Sequence, residues 1–313
     1  MLSRRSLMIA LAAAIGWRRL SGVLRAAEVG DPSRRVAVVF PSGLEPCAEA
    51  VDGLRQRLSS REAAVGLLDV SSASFVADMA QELARKPAVI VAVGSDAVRA
   101  VLMREPGVNT ISTMTLEADG AAGAPLAGRV KAAVYLDIPV RALVGALRAL
   151  FPDKTRLAVI RNPARGGPTA AQIRGQAAET SALEIADCAA PEELLPVFLS
   201  LRKKADLVIC LPDGSLYNSA TARPLIMASL ENRLPIVGFS PSFVRAGAAV
   251  GVYPDYRAVG QQTADLVRRC LAPGDCTSWE TPRKLTVAVN AKVLRMLGME
   301  YCKTGQPDLV IVR

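Results

Sequence analysis

Short, unbroken apolar runs recur along this chain. Each ends in a loop of Pro, Gly, Ser or Asp that leads into a helix-like segment. The strands Arg35–Phe40, Ala88–Val93, Arg156–Ile160, Leu207–Leu211 and Pro235–Phe239 carry such runs. A strand apolar along its whole length is buried on both faces, which implies a parallel sheet covered by helices. The same rhythm continues through strands Val65–Leu68, Val108–Met114, Val130–Leu136 and Leu183–Ala186. Between them, Cys47–Arg61, Phe75–Arg85, Ala97–Met103, Pro139–Leu150 and Thr169–Ser181 read as helices. In the second of these, Phe75, Val76, Met79 and Leu83 fall near helical spacing. Pro191–Lys203 is a further helix, with a break expected at Pro196. Glu117–Gly128, rich in Gly and Ala, is a loop that separates two blocks of similar βα rhythm. The fold class is therefore α/β, with two similar lobes and no evident sequence repeat.

Composition supports this reading. The 313 residues are 51% hydrophobic but only 4% aromatic, so the core must be Ala, Val, Leu and Ile. There is no histidine, which excludes His-based proton relays and His metal ligands. The net charge of +9 suggests nucleic acid, yet five of these charges are Arg4, Arg5, Arg18, Arg19 and Arg25. Without them no dense basic stripe with interleaved aromatics remains, so no nucleic-acid partner is expected.

Residues 1–27 combine a positive start with an apolar run from Leu7 to Ile15, too short to span a bilayer. This fits a signal peptide, and Ser3-Arg4-Arg5-Ser6-Leu7-Met8 resembles a twin-arginine export signal. Export to the periplasm is expected, with cleavage near Ala26 or Ala27; an uncleaved basic tail is the alternative. No later run is long enough to cross a membrane, so the mature chain is expected to be soluble. Cys270 and Cys276 bracket L-A-P-G-D and form either a local disulfide or two free thiols. Cys210, inside an apolar strand, reads as a buried hydrophobe.

Neither G-x-G-x-x-G nor G-K-[ST] follows a strand, so no phosphate loop is present. The serines lack a G-x-S-x-G elbow and have no His to activate them, so no catalytic residue is assigned. Cysteine spacing matches no metal site. No cofactor and no metal are expected, and the chain reads as one that holds a small molecule without transforming it.

In an open parallel sheet, ligands bind beyond the carboxyl ends of the strands, and the candidates are drawn from those loops. Asp213, in P-D-G-S, either accepts from a ligand amine or bonds its own backbone in a turn. Ser95 and Asp96 either meet a carboxylate at a helix start or only cap it. Thr113 and Thr115 either bind a ligand or pack at a strand end. Ser42 and Gly43 permit close approach after the first strand. Phe239, Ser240 and Phe243 offer an apolar wall, with core packing as the alternative for Phe239. Tyr217 offers a ring and a hydroxyl near the cleft mouth, or is buried against its own helix. Asp255 is a contact or a helix cap. Arg161 and Asn162 pair with an anion, or N-P marks a turn.

Four segments in order carry a resemblance: A-D-L-V-I-C-L-P-D-G-S-L-Y-N, N-R-L-P-I-V-G-F-S-P-S-F-V-R-A-G-A, the Y-x-x-x-G-Q-Q-T-A-D-L helix from Tyr256, and L-T-V-A-V-N-A-K-V-L-R-M-L-G. From about Arg34 to Met299 the chain resembles ABC-transporter substrate-binding proteins of the type I periplasmic fold, in the branch with tryptophan- and tyrosine-binding members. The resemblance implies two Rossmann-like lobes with parallel sheets, joined by three crossing strands, with the ligand cleft between them. It places residues 34–133 and 252–283 in lobe one, and 134–251 and 284–313 in lobe two. The first half departs from the family around S-T-M-T-L-E-A-D-G and P-S-G-L-E-P, so the ligand is left open. The expected function is capture of a small solute, an amino acid or similar, by a monomer that delivers it to ABC permease subunits. A periplasmic ligand sensor for a membrane receptor or kinase, and a cytoplasmic α/β enzyme, are the alternatives.

Overall fold

The computed structural model describes residues 34–59, 62–104, 107–117, 129–165, 167–177, 183–303 and 309–312. The expected export signal lies outside these residues. Two sheets organise the rest. The first contains β1 (Arg35–Phe40), β2 (Ala64–Asp69), β3 (Val89–Val93), β4 (Asn109–Thr115), β5 (Val130–Tyr135) and β11 (Ser278–Glu280). Their order is β11-β5-β4-β3-β1-β2, and every pairing is parallel. The second contains β6 (Leu157–Arg161), β7 (Leu183–Asp187), β8 (Leu207–Cys210), β9 (Ile236–Gly238), β10 (Val250–Pro254), β12 (Leu285–Asn290) and β13 (Leu309–Val312). Its order is β13-β12-β10-β9-β8-β6-β7, with β10 and β12 antiparallel and the other pairings parallel.

Each sheet is doubly wound, so each has a point where strand order reverses. That point lies between β1 and β3 in the first sheet and between β6 and β8 in the second. Crevices form there at the strand ends, because the following helices leave to opposite faces.

Central strands are buried as their apolar runs require: all five residues of β3 and all four of β8 are buried. The helix Glu45–Arg57 shows how sequence sets the packing. Pro46 at its start is preorganised for the first turn, and Glu45 and Arg57 complement the helix dipole. Cys47, Ala50, Val51 and Leu54 recur at helical spacing and bury one face. Burial of Leu54 alone contributes about 1.5–3 kcal/mol. That face meets the helix Tyr256–Leu271, so a late segment of the chain completes the first lobe.

Among the described residues the chain passes between the sheets three times, after Tyr135, after Pro254 and between Glu280 and Leu285. The boundaries expected at 133/134 and 251/252 fall inside β5 and β10, whose ladders run on to Tyr135 and Pro254. At the last two passages the Asp255 N–H donates to the Lys284 carbonyl at 3.1 Å, and their side chains form an ion pair at 3.0 Å.

Three local differences have physical reasons. Pro196 does not break a helix: a 3-10 turn, Pro191–Glu193, leads into the helix Leu194–Ser200, and Pro196 falls in its first turn, where no N–H is needed. The helix Ser95–Leu102 is capped by Gly94 rather than Ser95 or Asp96, because the cap adopts φ 87°, a conformation that favours glycine. Cys270 and Cys276 form a disulfide, closing the loop before β11.

Candidate functional site

The switch point of the second sheet opens onto a cleft of about 330 Å³. Three groups of residues build it. Arg161 ends β6 and Asn162 follows it, with Gln172 and Gln176 from the next helix. Leu211, Pro212 and Asp213 follow β8. Leu116, Glu117, Asp137, Ile138, Pro139 and Thr281 come from the end of β4 and the crossing segments. The cleft therefore lies where the two sheets meet, with walls supplied by both halves of the chain.

Arg161 ends β6, where the parallel register sets it beside Asp187 at the end of β7. Its Nε donates to Asp187 Oδ1 at 2.7 Å, Nη2 to Oδ2 at 3.3 Å, and Nη1 to the Pro168 carbonyl at 3.3 Å. Asn162 donates to the Ser215 hydroxyl at 3.2 Å and accepts from the Ala164 N–H at 2.9 Å, which ties the β6 loop to the β8 loop. Asp213 is buried, and its Oδ1 accepts from the Ser215 N–H at 2.7 Å and from the Ser215 hydroxyl. On the crossing side, Asp137 accepts from the Glu117 N–H at 2.7 Å, and Gln176 accepts from the Val140 N–H at 2.8 Å. Local backbone bonds thus fix the wall residues before any solute arrives.

The positive φ of Met114, 59°, belongs to this arrangement. It coincides with a register shift between Thr113 and Thr115 in the β4–β5 ladder, so β4 bends before delivering Leu116 and Glu117 to the cleft.

Of the residues singled out from sequence, Arg161, Asn162 and Asp213 line the cleft. Ser42 and Gly43 are exposed after β1, and Ser42 bonds the Asp69 carboxylate. Ser95 and Asp96 follow β3. These four sit at the switch point of the first sheet, not on the cleft wall. Thr113 is buried inside the first lobe, hydrogen-bonded to Thr263 at 2.9 Å, and Thr115 bonds Ser112 at 3.0 Å. Tyr217, Phe239 and Phe243 form an aromatic cluster with centroids 5.4–5.9 Å apart, within the core of the second lobe. Burial, with the Cys210 thiol adjacent, pushes the Tyr217 hydroxyl well above its usual value. Ser240 caps the helix Pro241–Ala246 through the Phe243 N–H. Asp255 caps Tyr256–Leu271; burial opposes its ionisation, but the Ala258 N–H and Lys284 outweigh it and hold the carboxyl low.

Reasoning from strand ends missed Glu117, Asp137, Gln172, Gln176 and Thr281. Glu117, Asp137 and Thr281 lie on or beside crossing segments, which carry no periodic signal. The two glutamines share one side of their helix by i, i+4 spacing, a signal that becomes readable only once the cleft is placed.

Among the described residues no three His, Cys, Asp or Glu converge to hold a metal. Burial pushes the Cys47 thiol up to about 11 and that of Cys210 up to about 12, so neither is a thiolate at neutral pH.

The family described as ABC transporter substrate binding protein matches residues 70–304. No curated protein sequence matches the chain. Among solved structures, the chain is similar to a ligand-free, open substrate-binding protein with adhesive properties from Clostridium difficile. Its TM-score is 0.67 at 14% identity, over 90% of this chain and 99% of that one. An ABC domain from Streptococcus pneumoniae in complex with L-Trp gives 0.59 at 14% identity, over 90% of this chain and 100% of that one. A conserved domain protein from Vibrio cholerae gives 0.58 at 18% identity, over 90% and 100%. At these identities the likeness is one of fold.

Proposed function

The chain belongs to the family of ABC transporter substrate-binding proteins, and from that premise we propose that it works outside the cytoplasm, as a monomer that carries one small solute to an ABC permease. The observation that carries this reading is the cleft itself: a space of about 330 Å³ between two doubly wound sheets, walled from both. That volume suits a solute of amino-acid or monosaccharide size. The L-Trp held by the Streptococcus pneumoniae domain makes amino acids the first solutes to try.

The working motion is hinge closure over the three passages between the sheets. Ser42, Gly43, Ser95 and Asp96 stand at the first sheet's switch point, where closure brings them toward a solute seated on Asn162 and Asp213. Residues 1–27 serve as the export signal. The Cys270–Cys276 disulfide fits an oxidising compartment, since such bonds persist there and are rare in the cytosol. No helix among the described residues is long and apolar enough to cross a membrane.

A thermal-shift screen of amino acids, sugars, inositols and amines tests the binding role, because a solute that binds only the folded state raises its melting temperature by mass action. The active solute should also reduce the radius of gyration in solution scattering. A screen without any shift would remove the proposal, and a mature form found only in the cytosol would remove the export part.

A further inference from the structure

We propose that Arg161 is the residue that selects the solute, by gripping a carboxylate, and that Asp187 is its positioning residue. The inference rests on the binding-protein reading above and names the chemistry that the cleft prefers.

A guanidinium has five N–H donors in a planar fork. Asp187 and the Pro168 carbonyl take three of them. Two remain, one on each terminal nitrogen, on a side chain that lines the cleft. The Arg161 side chain is 15% exposed, whereas Asp187, on the outer side of the pair, is 56% exposed. The cation is therefore largely withdrawn from water, and its orientation is set from behind by a partner that stays at the surface. Parallel pairing of β6 with β7 places Arg161 beside Asp187, so the orientation is built into the sheet.

Two N–H groups on the terminal nitrogens match the spacing of carboxylate oxygens, which is the basis of bidentate arginine recognition. A lysine at this position would keep the charge and lose the fork. Glu117, Asp137 and Asp213 also line the cleft. These carboxyl groups disfavour a solute with several negative charges and suit one whose other end donates hydrogen bonds. The class implied is a small monocarboxylate with a donor group at its far end.

The test uses matched probes on the mature protein: common L-amino acids and short hydroxy acids, each against its own carboxamide, with sugars and putrescine as solutes lacking a carboxylate. Carboxylates should raise the melting temperature and their carboxamides should not. For the strongest carboxylate, Arg161→Gln should weaken binding about ten- to a hundredfold, the range expected for hydrogen bonds to a charged group. Arg161→Lys should lose most of the same affinity. Asp187→Asn should narrow the preference for carboxylate over carboxamide, an effect that general loosening of the fold would not produce. Equal binding of a carboxylate and its carboxamide by the parent protein would overturn the assignment without reference to any variant. Binding of sugars or putrescine alone would overturn it too, while leaving the solute-binding role in place. No binding by any probe would count against both.

Discussion

Gly260 lies so close to Ala50 that a Cβ on it would stand 1.8 Å from the Ala50 carbonyl oxygen. The relationship is mutual, since a Cβ on Gly53 would stand 2.0 Å from the Arg257 carbonyl oxygen. The helices Glu45–Arg57 and Tyr256–Leu271 thus meet backbone to backbone, and backbone cannot rotate aside as a side chain does. Gly260→Ala and Gly53→Ala should each destabilise the protein by about 1–3 kcal/mol or more through overpacking. Gly145, inside the helix Val140–Leu150, has nothing within 4 Å of its Cβ position. Gly145→Ala should therefore stabilise by about 0.5–1 kcal/mol, the helix-propensity gain. Urea unfolding of the three variants checks the contrast, and a stable Gly260→Ala variant would mean that the helices do not pack this closely.

Glu82 is 4% exposed and receives hydrogen bonds from Arg35 and, at 3.1 Å, from Arg85. Burial raises the energy of its ionised form, but the two arginines outweigh this and hold its carboxyl below the ordinary value. A depressed folded-state pKa adds stability that is present above the unfolded value of about 4.3 and lost as pH falls through the folded one. Glu82→Gln should cost about 1.5–3 kcal/mol at neutral pH. The variant and its parent should converge as the solution is acidified below the usual glutamate range. Glu62, drawn down to about 2 by Arg268 and Ser59, titrates later, and its greater exposure weakens its contribution. Denaturant melts at neutral and acid pH give the comparison, and a constant gap between the two proteins would refute the linkage.

Much of the fold was legible because apolar runs without polar interruption leave few options. The strand read at Leu207–Leu211 is β8, Leu207–Cys210, and that at Pro235–Phe239 is β9, Ile236–Gly238. The short edge strand Ser278–Glu280 was not legible, because its burial is partial and its sequence, S-W-E, has no alternation long enough to detect. The candidate site was half legible for a related reason. Strand-end loops are visible in sequence, and they yielded Arg161, Asn162 and Asp213. Which face a loop residue takes depends on contacts far away in the chain. Thr113 faces inward because Thr263, 150 residues later, brings a hydroxyl to it. Tyr217 and Phe239 turn to the core because Phe243 completes an aromatic cluster there.

The Cys270–Cys276 disulfide joins the end of the helix Tyr256–Leu271 to the approach to β11. Closing so short a loop limits the unfolded chain and stabilises by about 2 kcal/mol in the chain-entropy account. Trp279 in β11 stacks on Tyr135 with ring centroids 6.1 Å apart, and the chain's other tryptophan is Trp17. In protein lacking residues 1–27, fluorescence therefore reports on this edge alone. Reduction should lower the melting temperature and change Trp279 emission ahead of global unfolding. An unchanged spectrum on reduction would show that β11 is held by its pairing with β5 without help from the disulfide.

Gln262 ties the third passage between the sheets to the first lobe, and it bears on the cleft through Thr281. Its Nε2 donates to Glu280 Oε2 at 2.7 Å and to the Thr281 carbonyl at 3.0 Å, while its Oε1 accepts from the Arg283 N–H at 3.2 Å. The residue is buried, so Gln262→Leu leaves buried polar groups without partners, at a cost of about 1–3 kcal/mol. That cost should change little with pH above the ordinary carboxylate range of about 4. Gln262→Glu behaves differently. It sets a second carboxyl against Glu280, which burial opposes but Gln262, Arg269 and Arg283 together keep ionised. Two adjacent carboxylates raise the pKa of one of them. A raised carboxyl pKa makes the folded state less stable at high pH, and stability returns as pH falls through the raised value. Gln262→Glu should therefore melt below Gln262→Leu at pH 8, and the difference should shrink toward pH 5. Both variants should also weaken solute binding, because Thr281 loses its fixed place on the wall. If Gln262→Leu melts like the parent and binds as tightly, the third passage is held without Gln262, by the ion pairs of Lys284 and Arg283.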